Sequence, residues 1–84
     1  MRTIFVPTAW DDCLHWQGTD ARLVRRIHEL IKDTSRNPFT GIGKPEPLRH
    51  KYAGYWSRRI TEEHRMVYKM EDGDLVIFQL RYHY

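Results

Sequence analysis

Cysteine is almost missing from this 84-residue chain, which has one, Cys13. A single thiol excludes an internal disulfide framework and predicts a reducing compartment. Cys13 falls among apolar helix positions, so it reads as a buried structural thiol with no chemistry of its own. Long apolar runs are missing too, and nothing approaches the roughly 20 residues that a membrane span requires. The opening MRTIFVPTAW lacks the apolar stretch and small-residue cleavage site of a secretory signal. A cytoplasmic protein without a membrane segment is the expectation. There is no repeat, linker or low-complexity tract, and residues 1–84 are expected to form one domain. A chain of this length buries only about 60 to 65% of its unfolded surface.

Metal-binding patterns are lacking as well. His15, His28, His50 and His64 form no i, i+4 pair around a carboxylate and no Cys/His cluster, so neither a metal nor a cofactor is expected. The fragment Gly41-Ile42-Gly43-Lys44 has glycines and a lysine, but no strand precedes it and no Ser or Thr follows the lysine. It is not a nucleotide loop.

What the chain has is an unevenly placed charge. Residues 1–33 carry five Lys/Arg and five Asp/Glu, residues 34–69 eight against three, and residues 70–84 one against three. The net +3 is therefore a central +5 flanked by zero and −2. A local excess of this kind favours phosphate-rich partners, although the same charge also suits an ordinary solvated surface. Position within the fold separates the two readings.

Taken in order, residues 2–6 read as a short strand ended by Pro7. A first helix is expected from Thr8, with Trp10, Cys13, Leu14 and Gln17 at helical spacing and Gly18 as its stop. Thr19 is the expected cap of a second helix, whose Leu23, Ile27, Leu30 and Ile31 follow i, i+4, i+7 and i+8. Asn37-Pro38 closes the helical region, and a loop with Gly41, Gly43, Pro45 and Pro47 follows. From Tyr55 the period becomes two. Tyr55, Ser57 and Arg59 share one face with Arg65, Val67, Lys69, Gln79, Arg81 and His83; Trp56, Ile60, Met66, Tyr68, Met70, Val76, Phe78, Leu80 and Tyr82 share the other. Arg58 is the exception on the apolar side and predicts a bulge or edge there. Asp72-Gly73 marks a tight hairpin. The expected architecture is α+β, in the order β-α-α-β-β-β, with both helices on one face of a twisted antiparallel sheet.

The open face would then hold Arg59, Arg65, Lys69, Arg81 and His83, bordered by the loop from Lys44 to Lys51. Cutting RNA without a metal needs a base for the 2′-hydroxyl proton, cations for the charge on phosphorus and an acid for the departing 5′-oxygen. Glu46, the pair Arg59 and Arg65, and His83 are those group types. Glu46 among Lys44, Arg49 and Lys51 suits a base; a histidine beside phosphate suits an acid. Tyr84 is placed to stack on a base, whereas Trp10, Trp16 and Trp56 read as core.

The segments KPEPL, GYWSRRITEEHRMVY and the terminal RYHY, with ELIKDT and NPF ahead of them, resemble the YoeB (Txe) family of bacterial toxins in the RelE superfamily. The resemblance covers nearly the whole chain and is loosest over residues 1–20. It implies a RelE-like microbial RNase fold and a toxin of a type II toxin-antitoxin system, a ribosome-dependent endoribonuclease that cuts mRNA in the A site of the 70S ribosome. By the same resemblance Glu46 matches the general base, Arg65 the phosphate-stabilising arginine, His83 the general acid and Tyr84 the residue that positions the nucleotide. Arg59 matches a further active-site cation, and Lys44, Arg49 and Lys51 are placed to hold RNA. A YefM-like antitoxin and a homodimer are the implied partners. The alternative is a binding module that occupies the ribosome without cutting, in which case Glu46 and His83 have no required role.

Overall fold

The computed structural model describes residues 1–82. His83 and Tyr84 lie outside the described residues. The elements run β1 (Thr3–Phe5), α1 (Pro7–Thr19), α2 (Ala21–Arg36), β2 (Glu46–Pro47), a 3-10 turn (His50–Tyr52), β3 (Trp56–Arg59), β4 (Arg65–Glu71) and β5 (Asp74–Gln79).

The helix ends follow local chemistry. Pro7 opens α1, where its fixed φ suits the first turn and its missing N–H costs nothing. Thr8 does not cap it. The cap of α2 is Asp20 rather than Thr19: its carboxylate accepts the N–H groups of Arg22 and Leu23 at 3.0 and 3.3 Å. Thr19 instead turns back on α1 and donates to the carbonyl of His15 at 2.7 Å. On α2 the expected stripe is inside, with Ile27 and Leu30 buried and Leu23 and Ile31 packed beside them. On α1 the buried residues are Ala9, Cys13 and Trp16, while Trp10 and Leu14 stay nearly half exposed. Two polar contacts fix that rotation. The Trp16 indole donates to the carbonyl of Leu80 at 2.8 Å, and the Leu80 N–H donates to Asp12 at 3.0 Å.

The strands form one five-stranded sheet in the order β1-β5-β4-β3-β2, with both helices on one face. Two features of the expected sheet change. First, it is mixed: β1 pairs parallel with β5, because the chain leaves β1 directly into α1 and cannot turn back as a hairpin. Second, Glu46-Pro47 pairs with Ser57 and Trp56, adding a fifth strand where a loop was expected. Pro45 and Pro47 have no N–H to donate, which confines this strand to two residues at an edge. The remaining pairs are antiparallel, and Asp72 and Gly73, both at positive φ, close the tight β4–β5 turn.

The apolar parity of β5 also differs from expectation. Val67 and Tyr68 are adjacent on β4, yet they pair with Gln79 and Ile77, leaving Phe78 without a partner. This bulge reverses the alternation. Leu75, Ile77 and Leu80 enter the core under the helices, whereas Val76 and Phe78 belong to the opposite, open face.

Arg58 has no bulge. It is fully buried on the core side of β3, where its guanidinium donates to the Asp33 carboxylate at 2.6 Å and to the carbonyls of Ile42, Asn37 and Thr40. Its Nε donates to the Tyr68 hydroxyl at 3.2 Å, and that hydroxyl donates to the carbonyl of Pro38 at 2.6 Å. One cation thus satisfies three carbonyls of the loop 37–42, those of Asn37, Thr40 and Ile42, while Tyr68 takes that of Pro38.

Candidate active site

The loop anchored by Arg58 delivers Glu46. Just beyond it the carbonyl of Gly43 accepts the Arg59 N–H at 2.7 Å, which seats Lys44 beside β3, and two residues later Glu46 pairs with Ser57. Register then lays out the open face in rows. Glu46, Ser57, Val67 and Gln79 lie side by side across β2, β3, β4 and β5; Arg59 and Arg65 face each other in the neighbouring row. Strands are about 4.8 Å apart and same-face neighbours about 7 Å apart, so Glu46 and Arg65 are separated by roughly 12 Å at Cα. Two long side chains span such a gap with a phosphate between them.

Arg65 is fixed in place. It is about nine-tenths buried, and its Nη1 donates to the carbonyls of Thr61, Glu62 and His64 at 2.7, 2.8 and 3.3 Å. The turn between β3 and β4 is therefore built around this guanidinium. Arg59, directly opposite, has a buried Nε with no hydrogen-bond partner among the described residues. Neither arginine is ion-paired there. Like charges paired across a ladder repel, and an unsatisfied buried donor costs more, so an anion between them relieves both.

An open cleft of about 430 Å³ adjoins this row, lined by Glu46, Pro47, Leu48, Arg49, His50 and Tyr52. Glu46 and Arg49 therefore share one cavity. Lys44 and Lys51 are exposed at its margins, and the Lys51 ammonium lies 5.2 Å from the centre of the Tyr52 ring. Among the described residues no three His, Cys, Asp or Glu side chains come together as a metal site.

Of the other residues expected on the open face, Lys69 is there and Arg81 is not. The Arg81 guanidinium lies 5.9 Å from the Trp16 ring and 4.7 Å from the Tyr82 ring, folded toward α1. His83 and Tyr84 are outside the described residues, but the backbone that leads to them is held at the site. The carbonyl of Tyr82 accepts the Arg65 N–H at 3.0 Å.

Sequence reasoning missed two contributors here. His64, given no role by its spacing, accepts the Tyr82 N–H on Nδ1 at 2.8 Å; nothing in the sequence signals a partner eighteen residues away. Arg58 did carry a signal, a charge on an apolar parity, and the physical answer is a buried anchor.

Residues 5–84 match the family described as YoeB-like toxins of bacterial type II toxin-antitoxin systems. Toxin YoeB of Escherichia coli K12 is 60% identical over 84 residues, all of both chains. A solved YoeB/ParE toxin from Agrobacterium tumefaciens superposes with a TM-score of 0.97 at 51% identity, all of each chain being covered. A heterotetrameric YoeB-YefM complex from Staphylococcus aureus superposes with a TM-score of 0.92 at 42% identity, covering all of this chain and 98% of that one. A YoeB dimer from the same organism gives 0.93 at 42%, with the same coverage.

Proposed function

Because the chain belongs to the YoeB-like toxins of bacterial type II toxin-antitoxin systems, we propose that it acts as a ribosome-dependent endoribonuclease on mRNA displayed in the A site of the 70S ribosome. The observation that carries the reading is the pair Arg59 and Arg65, face to face, without a carboxylate partner among the described residues, one row from Glu46.

In this mechanism Glu46 takes the proton from a 2′-hydroxyl. The 2′-oxygen attacks phosphorus, the negative charge that develops is met by Arg65 and Arg59, and His83 gives a proton to the departing 5′-oxygen. The products are a 2′,3′-cyclic phosphate and a 5′-hydroxyl. Lys44, Arg49 and Lys51 hold the flanking phosphates, and Tyr84 positions the nucleotide. Tyr82, whose carbonyl is bonded to Arg65, is the residue immediately before His83 in sequence, which supports assigning the acid to the terminus. The solved YoeB-YefM complex supports neutralisation by a YefM-like antitoxin, and the solved YoeB dimer supports a homodimer; the place of action in this reading is the cytoplasm.

The test adds the protein to ribosomes stalled on a defined message, beside the naked message, and maps the new RNA ends. Cuts confined to the A-site codon with a 2′,3′-cyclic phosphate are expected. Glu46→Ala and His83→Ala each lower the cleavage rate by about 10² to 10⁴ while retaining ribosome binding. Stalled translation with no new ends establishes the non-cleaving binder instead, and equal cutting of naked message removes the ribosome from the reading.

A further inference from the structure

Beyond Glu46 the open face continues into an aromatic and cationic surface of which the cleavage mechanism uses Lys51 alone. The rings of Tyr55 and Phe78 stack with centroids 4.6 Å apart and planes inclined by 20°. The Lys69 ammonium lies 5.3 Å from the Tyr55 ring centre and 5.7 Å from that of Phe78, at the seam of the stack. Tyr52 stands 6.5 Å from Tyr55 and carries Lys51 over its own ring. None of these residues joins the hydrophobic cluster beneath the helices. They form a second aromatic group on the opposite side of the sheet.

Its place relative to the site follows from register. Tyr55 precedes Ser57, the partner of Glu46, by two residues, so it shares the face and lies about 7 Å from that row. Arg59 lies the same distance away on the other side. Tyr52 also lines the cleft that contains Glu46 and Arg49. A strand running from the arginine pair past Glu46 therefore reaches the aromatic stack at its next step.

We propose that Tyr55, Phe78 and Lys69, continued by Tyr52 and Lys51, form a stacking subsite for an unpaired nucleobase of the RNA strand whose phosphate lies between Arg59 and Arg65. Aromatic faces interleaved with cations on an open sheet are the physical basis of sequence-tolerant single-strand binding: the π faces take the bases, and the ammonium groups the backbone. The charge chooses the occupant. Two lysines frame the stack, and the one carboxylate paired there, Glu71 on Lys69 at 3.4 Å, leaves the group net positive. An apolar protein segment gains nothing from that charge, whereas RNA does. The subsite deepens the ribonuclease reading and rests on it for the identity of the strand.

The experiment uses the full-length protein and a short 2′-O-methyl RNA containing 2-aminopurine, which lacks the 2′-hydroxyl and cannot be cleaved. Binding is expected to quench the 2-aminopurine and to shift the ring protons of Phe78 in the wild-type protein. Tyr55→Leu and Phe78→Leu keep apolar bulk but lose the π face, and each is expected to weaken binding roughly 5- to 150-fold, the loss of one base stack. Tyr55→Phe keeps wild-type binding. Unmoved Phe78 protons in the wild type, or Leu variants that melt normally and bind as tightly as wild type, overturn the subsite and leave the stack as packing over Val67 and Val76. Binding that an acidic peptide supports and the oligonucleotide does not overturns it in favour of a protein partner. Stacking without cleavage of ribosome-bound message retains the subsite and refutes the catalytic assignment; cleavage unaffected by the Leu variants does the reverse.

Discussion

The Tyr82 N–H donates to Nδ1 of His64 at 2.8 Å, while the Tyr82 carbonyl accepts the N–H of the next residue on β4, Arg65, at 3.0 Å. Both backbone groups of Tyr82 are thus clasped by two consecutive residues. The His64 ring is itself held, 4.8 Å from the Trp16 ring and 5.7 Å from that of Tyr82. Because Nδ1 accepts, the neutral ring carries its proton on Nε2, the atom that faces Glu63 at 3.8 Å. The same turn whose carbonyls fix the Arg65 guanidinium therefore also holds the backbone of Tyr82.

His64→Phe keeps the ring contacts and removes the acceptor, so the Tyr82 amide is expected to exchange with solvent about fivefold faster or more, the worth of one net hydrogen bond. His64→Asn places an oxygen near the Nδ1 position and is expected to recover most of the protection. Cleavage should fall in the Phe variant and return in the Asn variant. Equal amide protection in wild type and His64→Phe would show that the bond does not hold the segment.

Arg58 makes four of the hydrogen bonds that anchor the loop leading to Glu46. Arg58→Met fits the apolar parity but strips Asp33 and the Asn37, Thr40 and Ile42 carbonyls of their donor. Arg58 is fully buried, and its loss leaves three carbonyls without their donor, at about 1 kcal/mol or more for each. In a domain of this size that lowers Tm by upwards of 10 °C. A melting curve within a few degrees of wild type would contradict the anchor.

Asp33 gives that anchor a pH signature. Its carboxyl is held below the usual carboxylate range first by the hydrogen bond from Arg58 and then by the backbone N–H of Ile42. A depressed folded-state pKa adds stability above the unfolded value of about 3.9, and that stability disappears as pH falls through the folded value. Asp33→Asn is therefore expected to melt below wild type at pH 7 and pH 5, with the gap closing in strong acid. Melting curves of both proteins across that range decide it, and a gap that stays constant down to pH 2 sinks the linkage.

Much of this molecule was legible from its residues, and the exceptions have identifiable causes. Periodicity found α2, because Ile27 and Leu30 bury through spacing alone, and it found the Asp72-Gly73 turn, because only that backbone closes the hairpin. It failed on α1, whose rotation is set by hydrogen bonds from Trp16 to Leu80 and from Leu80 to Asp12, sixty-four and sixty-eight residues apart. It failed on Val76 and Phe78 because the unpaired Phe78 breaks the period, so a single alternation that is right for Leu80 is wrong for the residues before it. Within the site, Glu46, Arg59 and Arg65 were named from charge and chemistry, and the sheet puts them in adjoining rows. The clasp on Tyr82 was not legible, since it joins a turn to the last strand's exit through one nitrogen.

Arg59 offers a test in which stability and activity move in opposite directions. It faces Arg65 across the ladder, its Nε is buried without a partner among the described residues, and no carboxylate pairs with either guanidinium there. Two like charges and an unpartnered donor placed together are an unfavourable arrangement for the protein by itself. Arg59→Met retains the apolar stem and relieves both the repulsion, about 0.2 to 1 kcal/mol, and part of the unsatisfied donor, about 1 to 3 kcal/mol. The variant is expected to melt roughly 4 to 8 °C above wild type, since each 1 kcal/mol moves Tm by about that much in a small domain. The part of the gain that comes from repulsion should shrink in high salt, where screening has already weakened it. Cleavage of ribosome-bound message should fall in the same variant by about 10² or more, as when one donor to a developing anion is lost. A variant that melts below wild type would mean that Arg59 is satisfied within the fold, and the anion site would then rest on Arg65 alone.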